Sequence, residues 1–205
     1  MSLPAFALTS PDGGASQITI EPGGQLELAA PPLADDRVFR AQLLEHAQAL
    51  RAITAPMGLS WLATGLRPFG TRNDVPWMPK DRYGVMRAYM PQVGSRGLDM
   101  MLRTATVQVN LDFSDSADAG RKLRCLMGVS SILTALWASS PIVDGKESGY
   151  QTYRAWIWRD TDNARAGIMP FVFERDDIFT AYTEWALDVP LYFIYRGGYV
   201  RVPAG

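Results

Sequence analysis

Polar and apolar residues alternate strictly along the segment 104–113, near the middle of the chain. The polar positions are Thr104, Thr106, Gln108, Asn110 and Asp112, and the positions between them are Ala105, Val107, Val109, Leu111 and Phe113. This period of two predicts a β-strand, running on from Arg103, with one buried face. The other face then carries hydroxyls, amides and a carboxylate, each about 6–7 Å from the next. That face is either simply solvated or directed at a polar ligand. The poor strand formers Asn110 and Asp112 favour the ligand.

A second alternating pattern runs over residues 17–29 and is interrupted by Pro22-Gly23-Gly24. The interruption predicts a bulge or a tight bend. In an unbroken strand, Glu21 and Glu27 would lie about 20 Å apart, too far to share a metal ion. A shared ion therefore requires the bend, and the alternative is separate ions. Gln25 and Glu27, two residues apart on one face, form the safer pair of candidate ligands.

Helical spacing and capping residues predict several helices separated by short strands. The predicted helices start at Asp35 or Asp36 (to about residue 56), at Pro79, at Asp115 or Ser116 (to about residue 140) and at Asp176 or Asp177. The predicted buried sides are Phe39, Leu43, Ala47, Leu50 and Ile53 for the first helix, and Leu123, Leu126, Val129, Leu133 and Leu136 for the long one. Further strands are predicted over 58–66 and 168–173, and a β-hairpin over 191–202. Together these elements predict an α+β fold with a mainly antiparallel sheet, in a single domain over residues 1–205.

Composition excludes several classes of protein. The chain has 205 residues, of which 47% are hydrophobic and 20% are charged, as in an ordinary globular domain. No apolar run approaches the ~20 residues of a membrane span, the N-terminus lacks the pattern of a signal peptide, and no clustered basic face suits nucleic acid. The single cysteine, Cys125, excludes an internal disulfide and predicts a cytoplasmic protein. The single histidine, His46, means that carboxylates must hold any metal.

Charge is distributed unevenly although the net charge is only −1. Residues 1–36 contain five carboxylates and no lysine or arginine, whereas residues 78–125 carry eight basic side chains against five aspartates. Arg82 falls near the start of a predicted helix, where a cation opposes the helix dipole, which suggests a functional use. Acidic and basic strips of this kind suit a cation and an anionic substrate in one site, although ordinary surfaces sometimes have them.

Four stretches of the sequence together resemble the glutamate–cysteine ligases of plants and proteobacteria. They are Glu21-Pro22-Gly23-Gly24-Gln25-Leu26-Glu27-Leu28, Met78-Pro79-Lys80 through Met90-Pro91, Gly97-Leu98-Asp99-Met100-Met101-Leu102-Arg103 with the alternating segment after it, and Trp158-Arg159-Asp160-Thr161-Asp162 with Met169-Pro170-Phe171-Val172-Phe173. The resemblance implies a curved, mainly antiparallel sheet with flanking helices, as in the glutamine synthetase superfamily. It also implies ATP-dependent joining of the glutamate γ-carboxylate to the amine of cysteine through a γ-glutamyl phosphate, the first step of glutathione biosynthesis.

The resemblance assigns expected roles to particular residues, with ATP and Mg²⁺ as cofactors. Arg82 and Arg154 are expected to act in catalysis by binding the carboxylates of glutamate, for which arginine forks are suited. The remaining expected roles are the glutamate pocket wall (Trp158 and Tyr192), nucleotide binding (Gln25, Gln108 and Asn110) and metal binding (Glu21, Glu27 and Gln108).

The sequence also departs from the family. Its members look about twice as long, and an acidic Glu-His-Glu strand that normally precedes this region and the family's C-terminal part are not found here, which predicts an internal fragment with a fold incomplete at both ends. Ala105 stands where plant members have a cysteine, so regulation by that cysteine is not expected. Two alternatives stay open: a non-catalytic remnant that binds glutamate or a partner chain, and a γ-glutamyl ligase with another amine acceptor. For the 205 residues alone we expect little or no turnover, and a possible homo-oligomer through an exposed sheet edge.

Overall fold

The computed structural model describes residues 6–9, 15–33 and 35–202 and confirms a mixed α+β fold. The strands are β1 (Phe6–Thr9), β2 (Ala15–Ile20), β3 (Leu26–Ala29), β4 (Ile142–Val143), β5 (Lys146–Glu147), β6 (Phe193–Tyr195) and β7 (Tyr199–Arg201). The α-helices are α1 (Asp36–Thr54), α2 (Asp81–Val93), α3 (Gly97–Arg103), α4 (Ser116–Leu136), α5 (Tyr153–Trp158), α6 (Phe171–Glu174) and α7 (Ile178–Asp188). Short 3₁₀ turns cover Ala55–Met57 and Arg72–Asp74.

All strand pairing within these sheets is antiparallel, and the sheets are small. One sheet has the order β1-β2-β3, and β4-β5 and β6-β7 form two-stranded sheets. The pair β6-β7 confirms the predicted hairpin. An extensive curved sheet is not confirmed, since the largest sheet in the described part of the chain has three strands.

The predicted bend at Pro22-Gly23-Gly24 is a complete chain reversal. β2 and β3 pair in a register that places Thr19 opposite Glu27, and the Glu21 amide donates to the Gln25 carbonyl at 2.9 Å. Gly24 has a positive φ of 81°, a conformation that favours glycine. Gly23 is required for a different reason, because a Cβ atom there would lie 2.1 Å from the Leu102 carbonyl oxygen of α3.

The core is centred on α2 and α3. Tyr83, Tyr89 and Met90 of α2 pack with Met101 of α3, and each of them is less than 9% exposed. Tyr192, just before β6, packs against this cluster. The helices α2 and α3 and the residue just before β6 therefore share one apolar centre.

The predicted starts of α1 and α4 agree with the structure, whereas α2 begins two residues after Pro79 and Asp177 precedes α7 without a capping hydrogen bond. The predicted buried sides of α1 and α4 do not agree. Asp35 and Asp115 cap α1 and α4 by accepting hydrogen bonds from the amides of Arg37 and Asp118. Neither helix is covered as its pattern predicts: Ile53 of α1 is 66% exposed and Leu136 of α4 is 69% exposed. The remaining exposed members of the predicted sides are Leu43, Leu126 and Leu133. An apolar stripe shows that a helix has a face to bury, whereas only the tertiary structure supplies the partner.

The predicted central strand is wrong as a paired strand. Arg103 ends helix α3, Thr104 makes an isolated antiparallel bridge with Leu66, and residues 105–113 have no regular structure. The four large apolar side chains that alternation would bury are exposed, from 55% for Phe113 to 77% for Val107. The described residues provide this segment with a backbone partner only at its start, so the pattern lacks the pairing that would make it a strand.

Two other predicted strands are also wrong. Residues 59–65 are irregular up to the bridge at Leu66, which is 1% exposed. Residues 168–170 are irregular and Phe171 begins the short helix α6, with Pro170 immediately before its first turn. Short apolar runs do not distinguish strand from helix by periodicity, and here the proline was the better signal.

The chain exposes more surface than an ordinary folded monomer of its size. Its accessible area is 14156 Å², whereas a folded monomer of 22.6 kDa exposes about 9,500 Å². Exposed large apolar side chains on α1, on α4 and along 105–113 contribute to this excess. Within the described part of the chain, no helix is both long and apolar enough to cross a bilayer.

We expect the 205-residue chain by itself to associate through the exposed segment 105–113. Replacing Val107 and Val109 by threonine keeps the side-chain shape but removes apolar surface, so the mean molar mass in light scattering should fall toward that of a monomer. Val38→Thr, at a valine that is 41% exposed on α1, is the matched control and should leave the mass unchanged. An equal mass for the parent and the double variant would remove this segment from the association surface.

Candidate functional site

The hairpin β2-β3 brings the carboxyl groups of Glu21 and Glu27 together. Partial burial raises the pKa of Glu21 above its usual value, and the neighbouring charge of Glu27 raises it further. The cations of Lys80 and Arg82 act in the opposite direction without cancelling the rise. The bend that a shared metal ion would require is thus present. A divalent cation bound between the two carboxylates would reduce their mutual repulsion.

The start of α2 and the residue before it place two cations beside this acidic pair. Lys80, immediately before α2, donates from Nζ to the Ile20 carbonyl at 2.6 Å and to the Tyr83 hydroxyl at 3.3 Å. Arg82 donates to the same hydroxyl at 3.2 Å. That hydrogen bond, the Tyr83 phenol and the charge of Glu21 together keep the pKa of Arg82 above its usual value. The buried Tyr83 ring lies 5.2 Å from the Lys80 ammonium and 5.0 Å from the Arg82 guanidinium carbon, so one aromatic side chain orients both cations.

Tyr192 belongs to the same region as Arg82. Its ring stacks on Tyr89 of α2 with centroids 4.6 Å apart, and Phe193 packs edge-on against it at 4.9 Å. Burial raises the pKa of the Tyr192 phenol, and the charges of Arg165 and Arg82 partly offset that rise. The hairpin β6-β7 therefore carries Tyr192 to the side of the cluster where Arg82 lies.

Arg154 and Trp158 form a second group on α5. The guanidinium carbon of Arg154 lies 5.8 Å from the centre of the Trp158 ring, and the aliphatic part of Arg154 packs beside Gly65. Burial lowers the pKa of Arg154, and its Nε atom is buried without a hydrogen bond. The ion pairs found among the described residues do not include Arg154 or Arg82.

The amides predicted to bind nucleotide have different surroundings. The Gln25 side chain accepts a hydrogen bond from the Gly23 amide and donates to the carbonyls of Met101 and Thr104 at 3.2 and 3.0 Å, which ties the turn to α3. Gln108 donates to Asn110 at 3.2 Å on the exposed segment 105–113. These contacts give Gln25 a structural role, and its binding of nucleotide stays a prediction.

The structure thus brings together some of the predicted site residues and leaves others apart. Glu21, Glu27, Arg82 and Tyr192 share one region. Across the described residues, no hydrogen bond, ion pair or ring contact joins this region to the Arg154 group or to the Gln108 pair. Sequence reasoning gave no role to Lys80, although its spacing of three from Tyr83 at the start of a predicted helix was a usable signal. It also missed Arg165, which lies far from Tyr192 in sequence.

The residues present fit a divalent cation in part. Glu21 and Glu27 supply two carboxylates, and no group of three or more histidine, cysteine, aspartate or glutamate side chains suited to a metal occurs in residues 6–9, 15–33 and 35–202. Hard cations such as Mg²⁺ commonly bind through one or two carboxylates together with water and substrate phosphates. The pair is therefore compatible with a metal–nucleotide complex rather than with a metal held entirely by protein.

In the described part of the chain, the carboxylate pair lies beside two oriented cations, an arrangement that suits an anionic ligand together with a metal ion. Comparison with known proteins identifies the class. The chain belongs to glutamate-cysteine ligase family 2 (GCS2), whose model matches residues 5–203.

Curated relatives in plants share about half of the aligned residues. The chain is similar to the chloroplastic glutamate–cysteine ligases of Nicotiana tabacum (50% identical over 183 residues, 89% of this chain and 35% of the relative), Brassica juncea (49% over 185 residues, 90% and 36%) and Arabidopsis thaliana (49% over 183 residues, 89% and 35%). The chain therefore spans about a third of the length of these relatives.

These relatives contradict the predicted cytoplasmic location, because all three are chloroplastic enzymes. The physical reason for the error is that a single cysteine excludes only an internal disulfide. It is compatible with any compartment that keeps thiols reduced, so it does not select the cytoplasm.

We expect Glu21→Gln to stabilise the fold at neutral pH but not at acid pH. Because the pKa of Glu21 is raised above 4.5 in the folded chain, the unfolded chain releases this proton first as the pH rises. The free energy of unfolding of the parent therefore falls as the pH rises from 4.5 to the raised pKa of Glu21. Glu21→Gln has no charge to gain at this position and should not lose stability there. Urea unfolding of both proteins below and above that window measures the difference.

The control for this experiment is Glu45→Gln, at an exposed position on α1. Its effect on stability should be the same at both pH values. If Glu21→Gln behaved in the same way as the control, neither burial nor the charge of Glu27 would raise the pKa of Glu21 in solution.

Proposed function

We propose that this chain forms part of an ATP-dependent ligase that joins the γ-carboxylate of glutamate to the amine of cysteine. The observation that supports this most directly is Arg154, a half-buried guanidinium beside Trp158 with an unsatisfied Nε and no carboxylate partner among the described residues. A buried arginine of this kind is unfavourable until an anion binds, and carboxylates of an amino acid match its fork. Family membership makes glutamate the substrate to test first.

In the proposed reaction the protein contributes positioned charge rather than a covalent nucleophile. Arg82 and Arg154 would bind the carboxylates of glutamate, and Trp158 and Tyr192 would form the wall of its pocket. Glu21, Glu27 and Gln108 would face the metal–nucleotide side, with Gln25 and Asn110 near the nucleotide. A bound Mg²⁺ would neutralise phosphate charge during phosphoryl transfer. An oxygen of the γ-carboxylate would attack the terminal phosphorus of ATP and release ADP. The cysteine amine would then attack the acyl carbon of the γ-glutamyl phosphate, displace inorganic phosphate and lose a proton.

To bind one glutamate, the two separate groups of predicted site residues must come together, either by movement of the chain or through further parts of the whole protein. Arg82 with Tyr192, and Arg154 with Trp158, would have to face one glutamate molecule. A glutamine synthetase-like curved sheet in the whole protein, with β2-β3 as part of it, would provide that arrangement. The exposed segment 105–113, with its alternating pattern, is a suitable further strand of such a sheet.

Two other functions stay as alternatives. A ligase that uses another amine acceptor would keep the same glutamate site, because Arg82 and Arg154 would bind the acid and not the amine. A non-catalytic chain that binds glutamate would also keep the arginines. Assays of ATP-dependent γ-glutamylcysteine formation and ADP release, with cysteine and other amines compared, separate these functions.

For substrate binding, we expect Arg82→Lys and Arg154→Lys each to weaken glutamate affinity about tenfold or more. Lysine keeps the charge but lacks the bidentate fork, so the loss reports geometry rather than charge alone. Calorimetric titration of glutamate measures it. Arg121→Lys, at an arginine that is 69% exposed on α4, is the control and should bind like the parent. Unchanged affinity in both site variants would assign these arginines to structural roles.

For metal binding, we expect Glu27→Gln to weaken the binding of Mg²⁺–ATP and to leave folding nearly unchanged. The substitution keeps the side-chain shape at an exposed position of β3 and removes one of the two paired charges. Titration of Mg²⁺–ATP into both proteins tests this, with the exposed Glu147→Gln as the matched control. Equal affinities for Glu27→Gln and the parent would remove Glu27 from the metal site.

A further inference from the structure

Strand pairing alone does not fix the position of the Tyr192 side chain. It precedes β6, and its neighbour Leu191 is 64% exposed. Its ring is held by stacking on Tyr89 and by the edge of Phe193. Stacking restricts the tilt of the ring but leaves it free to slide along its neighbour, so a third contact is needed to set its position.

Arg165 supplies that contact. Its guanidinium carbon lies 4.6 Å from the centre of the Tyr192 ring and 5.6 Å from the centre of the Tyr89 ring. It also donates to the Tyr89 hydroxyl at 3.2 Å and to the Pro190 carbonyl, two residues before Tyr192. One side chain therefore contacts the ring of Tyr192, the ring on which it stacks and the backbone that leads to it.

Arg165 is itself held in place by Asp162. The Asp162 carboxylate accepts a hydrogen bond from the Arg165 guanidinium, and its side chain is 4% exposed. Its other oxygen accepts from the Ala164 amide at 3.1 Å, and its backbone carbonyl accepts from the Arg165 amide at 3.0 Å. A buried carboxylate bonded in this way has little freedom to move. The position of Arg165 is therefore set by the loop and not by Tyr192.

We propose that Arg165 is a positioning residue that fixes Tyr192 as a wall of the glutamate pocket, with Asp162 as its anchor. The role of Tyr192 in the glutamate pocket rests on the proposed function, whereas the positioning of Tyr192 by Arg165 does not. Arg165 donates hydrogen bonds to three protein groups, those of Tyr89, Asp162 and Pro190. Because its guanidinium is engaged in this way, Arg165 orients a neighbour rather than binds the substrate.

The positioning is measured directly on Tyr192. With 3-fluorotyrosine placed at position 192 alone in the full chain, the fluorine resonance reports the ring environment, and its pH titration reports the phenol. The charged and titratable groups that act on this phenol are Arg165, Asp162, Tyr89 and Arg82. Removing Arg165 leaves Asp162 uncompensated, so the pKa of the phenol should rise.

The expected results separate geometry from charge. Arg165→Gln should shift and broaden the fluorine resonance and raise the phenol pKa. In Arg165→Lys the phenol pKa should lie near that of the parent, whereas the fluorine resonance should stay shifted, because lysine keeps the charge but lacks the fork. Tyr89→Phe removes only the hydroxyl that accepts from Arg165 and should broaden the resonance with the stack retained. Glutamate affinity should fall about three- to tenfold in Arg165→Gln.

Arg37→Lys, at an arginine whose side chain is 87% exposed on α1, is the control and should leave every signal unchanged. The inference is overturned if Arg165→Gln and Tyr89→Phe, with unfolding midpoints like that of the parent, leave the Tyr192 resonance and the phenol pKa unaltered. If these signals change but the parent shows no glutamate binding, the positioning is supported and the proposed function fails.

Discussion

The structure depends on the contact between the turn at residues 22–25 and the end of helix α3. The last carbonyls of a helix have no partner inside it, and here the Gln25 amide donates to two carbonyls at this end, those of Met101 and Thr104. Gly23 allows the backbone to approach closely enough, since a Cβ atom would collide with the Leu102 carbonyl. This contact fixes the hairpin β2-β3 against the helices, and the positions of both site carboxylates follow from it.

Placing those carboxylates next to α2 creates the electrostatic character of the site. Glu21 faces Glu27 on one side and the cations of Lys80 and Arg82 on the other. Tyr83 accepts hydrogen bonds from both cations with one hydroxyl and presents its ring to them. Opposite charges are therefore adjacent in this region, and the ion pairs found among the described residues do not join them.

The apolar surfaces of the chain fit its relation to longer proteins. The relatives named above are almost three times as long as the part that matches, and the area exposed here exceeds that of an ordinary monomer. The exposed side chains lie on α1, on α4 and along residues 105–113, where the sequence patterns for burial are strong. In these elements the local pattern and the observed burial disagree because burial requires a partner surface as well as a pattern.

The sequence by itself determined the elements whose signals are local. Capping aspartates located the starts of α1 and α4, turn residues located the hairpin β6-β7, and Pro22-Gly23-Gly24 located the reversal that brings Glu21 to Glu27. The four family motifs were also readable, since they consist of residue identities in order. Only the tertiary structure decided that residues 105–113 lack a strand partner, that Gln25 ties a turn to α3, and that Arg165 meets Tyr192. Pairing, packing and charge contacts between distant residues depend on how elements meet in space, and a single sequence carries no local signal for that.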